Sequence, residues 1–390
     1  MRPTAELGVL DITKFFGAST GGIRTYLMEK SRYVSARGKW RQTVIVPGVE
    51  NRFEDHPGVR WYQLKGMPIP TQHPYRFLLA RKTIGRIIAH ESPDILEVGS
   101  PYALPWICRG IAQRLHIPMV LFYHTNFPRI ISPRPSKDRW SRRKAGQLAD
   151  AYVARLAGIF DGAVAASDVA VRELDRAGFR RIEKVPLGVD LARFHPGRRA
   201  RAEETRARYR LPSGRLVMYV GRLAREKELD LVLDAWLQVE REAGASLVLV
   251  GDGPSRQYFQ SRSRARQVYW LPYERDRERL ADLIAAADAM IAPGPAETFG
   301  LAALEALASG LPVISSDQGA VRELVEASGA GAVNPEPRSD IMAQTILDLL
   351  RMDLAELGRR GRAYAEARHD WTTVFNLLFE AYGRFLRAPH

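Results

Sequence analysis

One cysteine, Cys108, stands in 390 residues. That excludes a disulfide framework inside the chain and fits a reducing compartment. Long apolar runs are missing as well, and none approaches the ~18 residues that a membrane-spanning helix needs. The first residues carry Glu6 and Asp11 around a short apolar strand, so no secretory signal is expected there. Histidine and cysteine show no metal-ligand spacing, and no Asp-x-Asp motif follows a strand, so neither metal nor cofactor is expected. The run Gly251-Asp252-Gly253-Pro254 opens like a dinucleotide fingerprint, but Arg256 stands where the third glycine belongs, and that reading fails.

Acid is also in short supply. Asp and Glu number 44 against 58 Lys and Arg, a net charge of +14. Such an excess predicts attraction to nucleic acid, an acidic membrane surface or a phosphorylated substrate, although an arginine-rich composition can arise without any partner. Hydrophobic content of 46% and charged content of 26% are those of an ordinary globular protein, and the length calls for two domains.

The most informative stretch is Ile291–Ser316, IAPGPAETFGLAALEALASGLPVISS. A short apolar strand (Ala289–Ala292) enters a Pro-Gly-Pro turn, and Thr298 is placed to cap a helix over Phe299–Ser309. Gly310 ends that helix and Pro312 starts another β-branched run. Strand, glycine-rich turn, helix and strand form a unit that binds ligands at the strands' carboxyl ends, where helix N–H groups face phosphate. Glu297 and Glu305 lie about two helical turns apart, roughly 12 Å along a helix axis, which is the span from the hexose to the ribose of a nucleotide sugar. Spacing alone leaves open that both are ordinary surface acids.

The Glu297/Glu305 pair, with Phe299-Gly300-Leu301 and the ALEALASGLPVI continuation, resembles the donor-site signature of family-4 retaining glycosyltransferases. The resemblance covers most of the chain and is strongest from Val185 onward. It implies the α/β GT-B fold, two Rossmann-like, doubly wound domains facing across a cleft. The expected division is 1–197 for the acceptor-side domain, 198–214 for an arginine-rich linker and 215–370 for the nucleotide-sugar domain. Residues 371–390 are expected to cross back as a helix to the first domain.

On the bare residues, Gly21-Gly22 after the first strand (Leu7–Ile12) is a weak phosphate cradle, and Gly221-Arg222 with Lys227 before a helix is a modest diphosphate clamp. The resemblance implies that Gly21 and Gly22 lie near the donor diphosphate and that Arg222 and Lys227 hold it. It puts Gly221, Gly251, Leu271 and Tyr273 on the donor side, with the base near Leu271-Pro272-Tyr273. Phe299, Gly300 and Leu301 offer the helix N-terminus, Glu297 takes the sugar hydroxyls and Glu305 the ribose. A histidine after an aromatic strand is often structural; the resemblance turns His124, in YHTNFPR, toward the transferred sugar. His124, Glu297, Arg222 and Lys227 are thus the expected catalytic group. The proline- and aromatic-rich segment from Trp61 to Tyr75 reads as a loop shaping the acceptor site.

The densest basic stretch holds Arg129, Arg134, Lys137, Arg139, Arg142, Arg143 and Lys144, with Trp140 and Ile130-Ile131 interleaved. Cations with Trp and Ile suit an anionic lipid surface; a solvated face ranks second and nucleic acid third, since no nucleic-acid module accompanies them. The expected reaction is transfer of a hexose, mannose from GDP-mannose first, to a lipid or glycolipid hydroxyl. The site of action would be cytoplasmic, at the inner face of the membrane. UDP-linked glucose, galactose or sulfoquinovose transfer to diacylglycerol is nearly as compatible. A sugar-nucleotide epimerase or a basic nucleic-acid-binding protein are the rivals of other classes.

Overall fold

The computed structural model describes residues 7–17, 21–70, 75–124 and 139–387, with side chains from 147 onward in the last stretch. The chain divides into two compact units, one of Met1–Pro186 with Trp371–His390 and one of Leu187–Asp370. The first unit carries strands β1 (Leu7–Ile12), β2 (Trp40–Gly48), β3 (Arg52–His56), β4 (Val59–Lys65), β5 (Ile95–Val98), β6 (Met119–Tyr123), β7 (Gly162–Ala165) and β8 (Ile182–Lys184). They lie in the order β3-β4-β2-β1-β5-β6-β7-β8, parallel except for the β3/β4 hairpin at one edge. Helices separate most of them, so the central strands are covered on both faces and read as continuous apolar runs, such as Met119–Tyr123.

The second unit carries β9 (Leu216–Val220), β10 (Ser246–Val250), β11 (Val268–Leu271), β12 (Ala289–Ala292), β13 (Val313–Ser316) and β14 (Gly331–Asn334). Their order is β11-β10-β9-β12-β13-β14, all parallel. Counted within the unit this is the Rossmann order, and it reverses between β9 and β12. The first unit reverses in the same way between β1 and β5.

Two expectations change here. The segment from Trp61 is not loop from its start, because β4 runs to Lys65 and pairs with β2 and β3. Its Trp61 and Tyr62 pack on Phe16 and Phe53, half-buried one strand in from the sheet edge, which is why no clean alternation marks it. The division of the chain falls at Pro186/Leu187, and residues 198–214 are folded rather than a linker. A 3-10 turn (Pro196–Arg201) and a helix (Ala202–Arg208) dock on the helix Arg277–Ala285. Arg198 reaches Asp282 at 2.6 Å, Arg199 reaches Asp288 at 2.6 Å, and Arg206 donates to the Ala286 carbonyl at 2.9 Å. The arginine run looks like a solvated linker only because its acids and carbonyls lie about eighty residues later.

The helix Trp371–Arg387 packs in the first unit against the helix Gly22–Arg37. Phe379 lies 5.5 Å from the Tyr33 ring and 4.8 Å from that of Trp40. Beneath these rings Lys30 is fully buried, 2.6 Å from both Asp11 and the Tyr382 hydroxyl. The hydroxyls of Tyr26 and Tyr382 donate to Glu97, and Gln42 donates to Asp11 at 2.6 Å. Burial drives the Glu97 carboxyl far above its ordinary range, with Lys30 opposing and Asp11 reinforcing the shift. Cys108 is buried in the first unit in the cluster of Leu10, Ile12, Leu96 and Val98, and burial pushes its thiol up to about 12. Among the described residues no helix is long and apolar enough to cross a membrane.

Candidate functional site

In the second unit the chain leaves β9 into Gly221, and the loop stays pinned to the one after β10. Gly221 N donates to Val250 at 3.0 Å and Leu223 N to Asp252 at 2.9 Å. Gly251 sits at φ +148°, and a Cβ there would overlap the Gly221 carbonyl oxygen. Glycine therefore lets the two loops lie backbone against backbone. Arg256, in the third-glycine position, donates to the Gly251 carbonyl at 2.7 Å and to that of Leu271 at 3.2 Å. It ties the expected base loop, with half-buried Leu271 and exposed Tyr273, to the β10 loop.

A short 3-10 turn, Arg225–Lys227, carries Lys227 to the reversal point of the sheet. There its ammonium forms an ion pair with Glu297, which arrives from the loop after β12. The two side chains are 21% and 30% exposed, so the pair is open to solvent and to ligand. Arg222 is 50% exposed and pairs with Glu226, while its carbonyl accepts from the Tyr219 hydroxyl at 2.9 Å. Arg225 lies over the Tyr258 ring at 3.4 Å. Arg225 and Glu226, between Arg222 and Lys227, thus shape the loop. Burial raises the Tyr219 hydroxyl well above its ordinary range, and the nearby Glu297 and Glu226 add to it.

The helix after β12 starts later than the sequence predicts. Its cap is Gly300, at φ +90° and pressed on Val321, and the helix spans Leu301–Ala308. A side chain at 300 would be strained and would meet Val321, so close packing overrides Thr298 as the capping residue. No side chain caps this end and no acid lies in its first turn, which leaves its amides bare for an anion. Phe299 is buried, its ring 5.8 Å from that of His369. The loop is braced by Ala320 N donating to the Glu297 carbonyl at 3.0 Å.

Glu305 is not on a solvent face. It is 3% exposed, and its Oε1 accepts from Arg277 at 2.5 Å. Arg277, over the Phe194 ring at 5.0 Å, was not singled out from the sequence. The first arginine of a charged helix has no local mark that distinguishes it from a surface residue.

In the first unit, the loops after β1, β5 and β6 meet at Gly99. Gly99 N donates to Ile12 at 2.9 Å, and its carbonyl accepts from Thr13 Oγ1 at 2.9 Å and from His124 Nε2 at 2.5 Å. His124 also meets Phe15 edge-on at 5.2 Å, and burial lowers its pKa, so it is neutral near pH 7. Gly21 is exposed and precedes the helix beginning at Gly22, again without a side-chain cap. Lys14 lies 3.4 Å above the Tyr102 ring centre, and burial lowers it to about 8. It too was missed, although a lysine two residues past a strand at a reversal point is a usable signal. Arg129 and the side chains of Arg139, Trp140, Arg142, Arg143 and Lys144 lie outside the described residues. Among the described residues no group of three or more His, Cys, Asp or Glu is placed to hold a metal ion.

The arrangement gathers Arg222, Lys227, Glu297, the helix end at Leu301 and Glu305 within one Rossmann unit. Cations and bare amides can receive a diphosphate, and the two carboxylates can accept from hydroxyls. Residues 20–193 match the family profile described as Glycosyltransferase Family 4, and residues 214–352 match that of Glycosyl transferases group 1. The chain is 33% identical over 336 residues to the GDP-mannose-dependent alpha-(1-6)-phosphatidylinositol dimannoside mannosyltransferase of Mycobacterium tuberculosis, covering 85% of each. It is 27% identical over 369 residues to the sulfoquinovosyl transferase of Arabidopsis thaliana, covering 91% of this chain and 69% of that one. Among solved structures, the sucrose-phosphate synthase of Thermosynechococcus elongatus superposes with a TM-score of 0.80 at 20% identity, over 98% of this chain and 100% of the other. At that identity the match shows the fold, GT-B, and no more.

Proposed function

The chain belongs to glycosyltransferase family 4, and on that premise we propose that it transfers mannose from GDP-mannose, with retention, to a hydroxyl of a lipid or glycolipid. The observation that carries the site assignment is the Lys227–Glu297 pair at the β9/β12 reversal point, beside the bare end of the helix Leu301–Ala308. Lys227, Arg222 and those amides stabilise the charge that grows on the departing diphosphate, the largest single contribution such a site makes. Glu297 holds the hexose hydroxyls and Glu305 the ribose. No carboxylate is assigned as a covalent nucleophile; the leaving phosphate takes the acceptor proton in a same-face displacement. His124 is assigned to the hydroxyls of the transferred sugar. The reaction as proposed uses no metal and no cofactor, and the enzyme works peripherally at the inner face of the membrane.

The GDP-mannose assignment rests on the mycobacterial relative; the Arabidopsis relative, a sulfoquinovosyl transferase, supports the second reading, in which the donor is a UDP-sugar. Thermal-shift screening with GDP-mannose, UDP-glucose and UDP-galactose, followed by transfer to phosphatidylinositol glycolipid or diacylglycerol, separates the two. Stabilisation and turnover with GDP-mannose, giving an α-linked product, is the expected result. Preference for a UDP-sugar would move the assignment to the second reading, and free sugar formed equally well without acceptor would point to an epimerase.

A further inference from the structure

We propose that Arg277 is a positioning residue, holding the Glu305 carboxylate in the orientation that accepts the ribose diol of the donor nucleotide. The proposal rests on the ribose role given to Glu305 above. Arg277 opens the helix Arg277–Ala285, whose cap is complete: Asp276 accepts from Glu278 N at 2.9 Å and from Arg279 N at 3.4 Å. Its backbone is thereby fixed, and its guanidinium lies over Phe194. From there it donates to Oε1 of Glu305. Among the described residues no donor meets Oε2.

That asymmetry is what a ribose requires. A vicinal diol brings two O–H donors, and a carboxylate with one oxygen anchored keeps the other whole, with spare acceptor capacity on the first. Anchoring also removes a freedom that binding would otherwise have to quench. Because Glu305 is 3% exposed, its charge needs a partner nearby, and the planar fork of arginine supplies one in a set direction where a lysine would not. The alternative is that Arg277 merely fastens its helix to the helix Leu301–Ala308. Stability then depends on it, but discrimination of the diol does not.

Calorimetric titration with GDP and UDP, each beside its 2′,3′-dideoxy form, distinguishes these. Wild type should lose about tenfold or more in affinity when the diol is removed, as expected for hydrogen bonds to a charged group. In Arg277→Ala the ribonucleotide should fall to the dideoxy level, so that the ratio approaches one. Arg277→Lys should recover part of the ratio. In turnover, KM for the donor should rise more than kcat falls, since the contact lies away from the reacting carbon. A full wild-type ratio in Arg277→Ala, or in Arg277→Gln should the alanine variant not fold, overturns the proposal. Wild type that binds nucleotide without sensing the diol overturns the ribose role itself, and the inference with it.

Discussion

Lys227 and Glu297 pair from two loops 70 residues apart in sequence; a strand and a glycine turn mark each locally, and the roles expected of them came from the family resemblance. Lys227→Ala should lower kcat/KM by about 100- to 1000-fold, the scale of losing one transition-state charge contact. Arg222→Ala should also cost orders of magnitude, while both proteins keep the wild-type melting profile because neither side chain lies in a core. Steady-state kinetics beside calorimetry checks this, and near-wild-type rates in both variants would remove the diphosphate clamp. Glu305 could be named but its surroundings could not. Helical spacing gives its neighbours on one helix, whereas Arg277 reaches it from another element. Arg256 was opaque for the same reason: which carbonyls a residue meets is set by other segments.

At the scale of elements, strands and helices were read within a few residues wherever they were apolar and bounded by glycine or proline, as at Leu216–Val220 and Ala289–Ala292. The errors came where charge disguised structure. Arg198–Arg210 looks solvated until its acids are known, and β4 is half-buried and aromatic. The packing of the helix Trp371–Arg387 shows how much charge a core can hide. One lysine, Lys30, faces two carboxylates, Asp11 and Glu97, with Tyr26, Tyr382 and Gln42 filling the remaining positions. Since the folded state keeps a proton on Glu97 that the unfolded chain gives up near its ordinary range, stability falls as pH rises through the window above that range. Urea denaturation should show wild type losing about 1 kcal/mol or more between pH 5 and pH 8. Glu97→Gln, which cannot release the proton, should lose distinctly less. Identical pH slopes for the two proteins would mean that Glu97 is ionised in the fold.

For the molecule as a whole, two domains were legible in the length and their Rossmann-like folds in the family resemblance, but the boundary was misplaced by about ten residues because the arginine-rich segment after Pro196 packs with the second unit. The basic stretch from Arg129 to Lys144 bears on how such a protein reaches a lipid. Each cation near an anionic bilayer contributes about 1 kcal/mol, so four or five together hold a protein there reversibly. The protein should sediment with anionic vesicles at low salt and release at high salt. Replacing Arg139, Arg142, Arg143 and Lys144 by Ser should abolish that and cut transfer to lipid acceptors, while hydrolysis of the donor by water is largely spared. Wild type that ignores anionic vesicles at low salt would favour a soluble acceptor. The membership of Trp371–His390 in the first unit bears on synthesis itself. On the ribosome, Lys30 and Glu97 emerge long before Tyr382, and all of Leu187–Asp370 is made in between, on the order of 10–40 s at about 5–20 residues per second. Through that interval the nascent first unit holds a charge cluster short of one hydroxyl, and Tyr33 and Trp40 wait for Phe379. The contiguous unit, although translated second, can close first. The helix Trp371–Arg387 is the piece that completes the first unit, and a stop codon between 371 and 382 would leave the earlier half of the protein open while the later half stood complete.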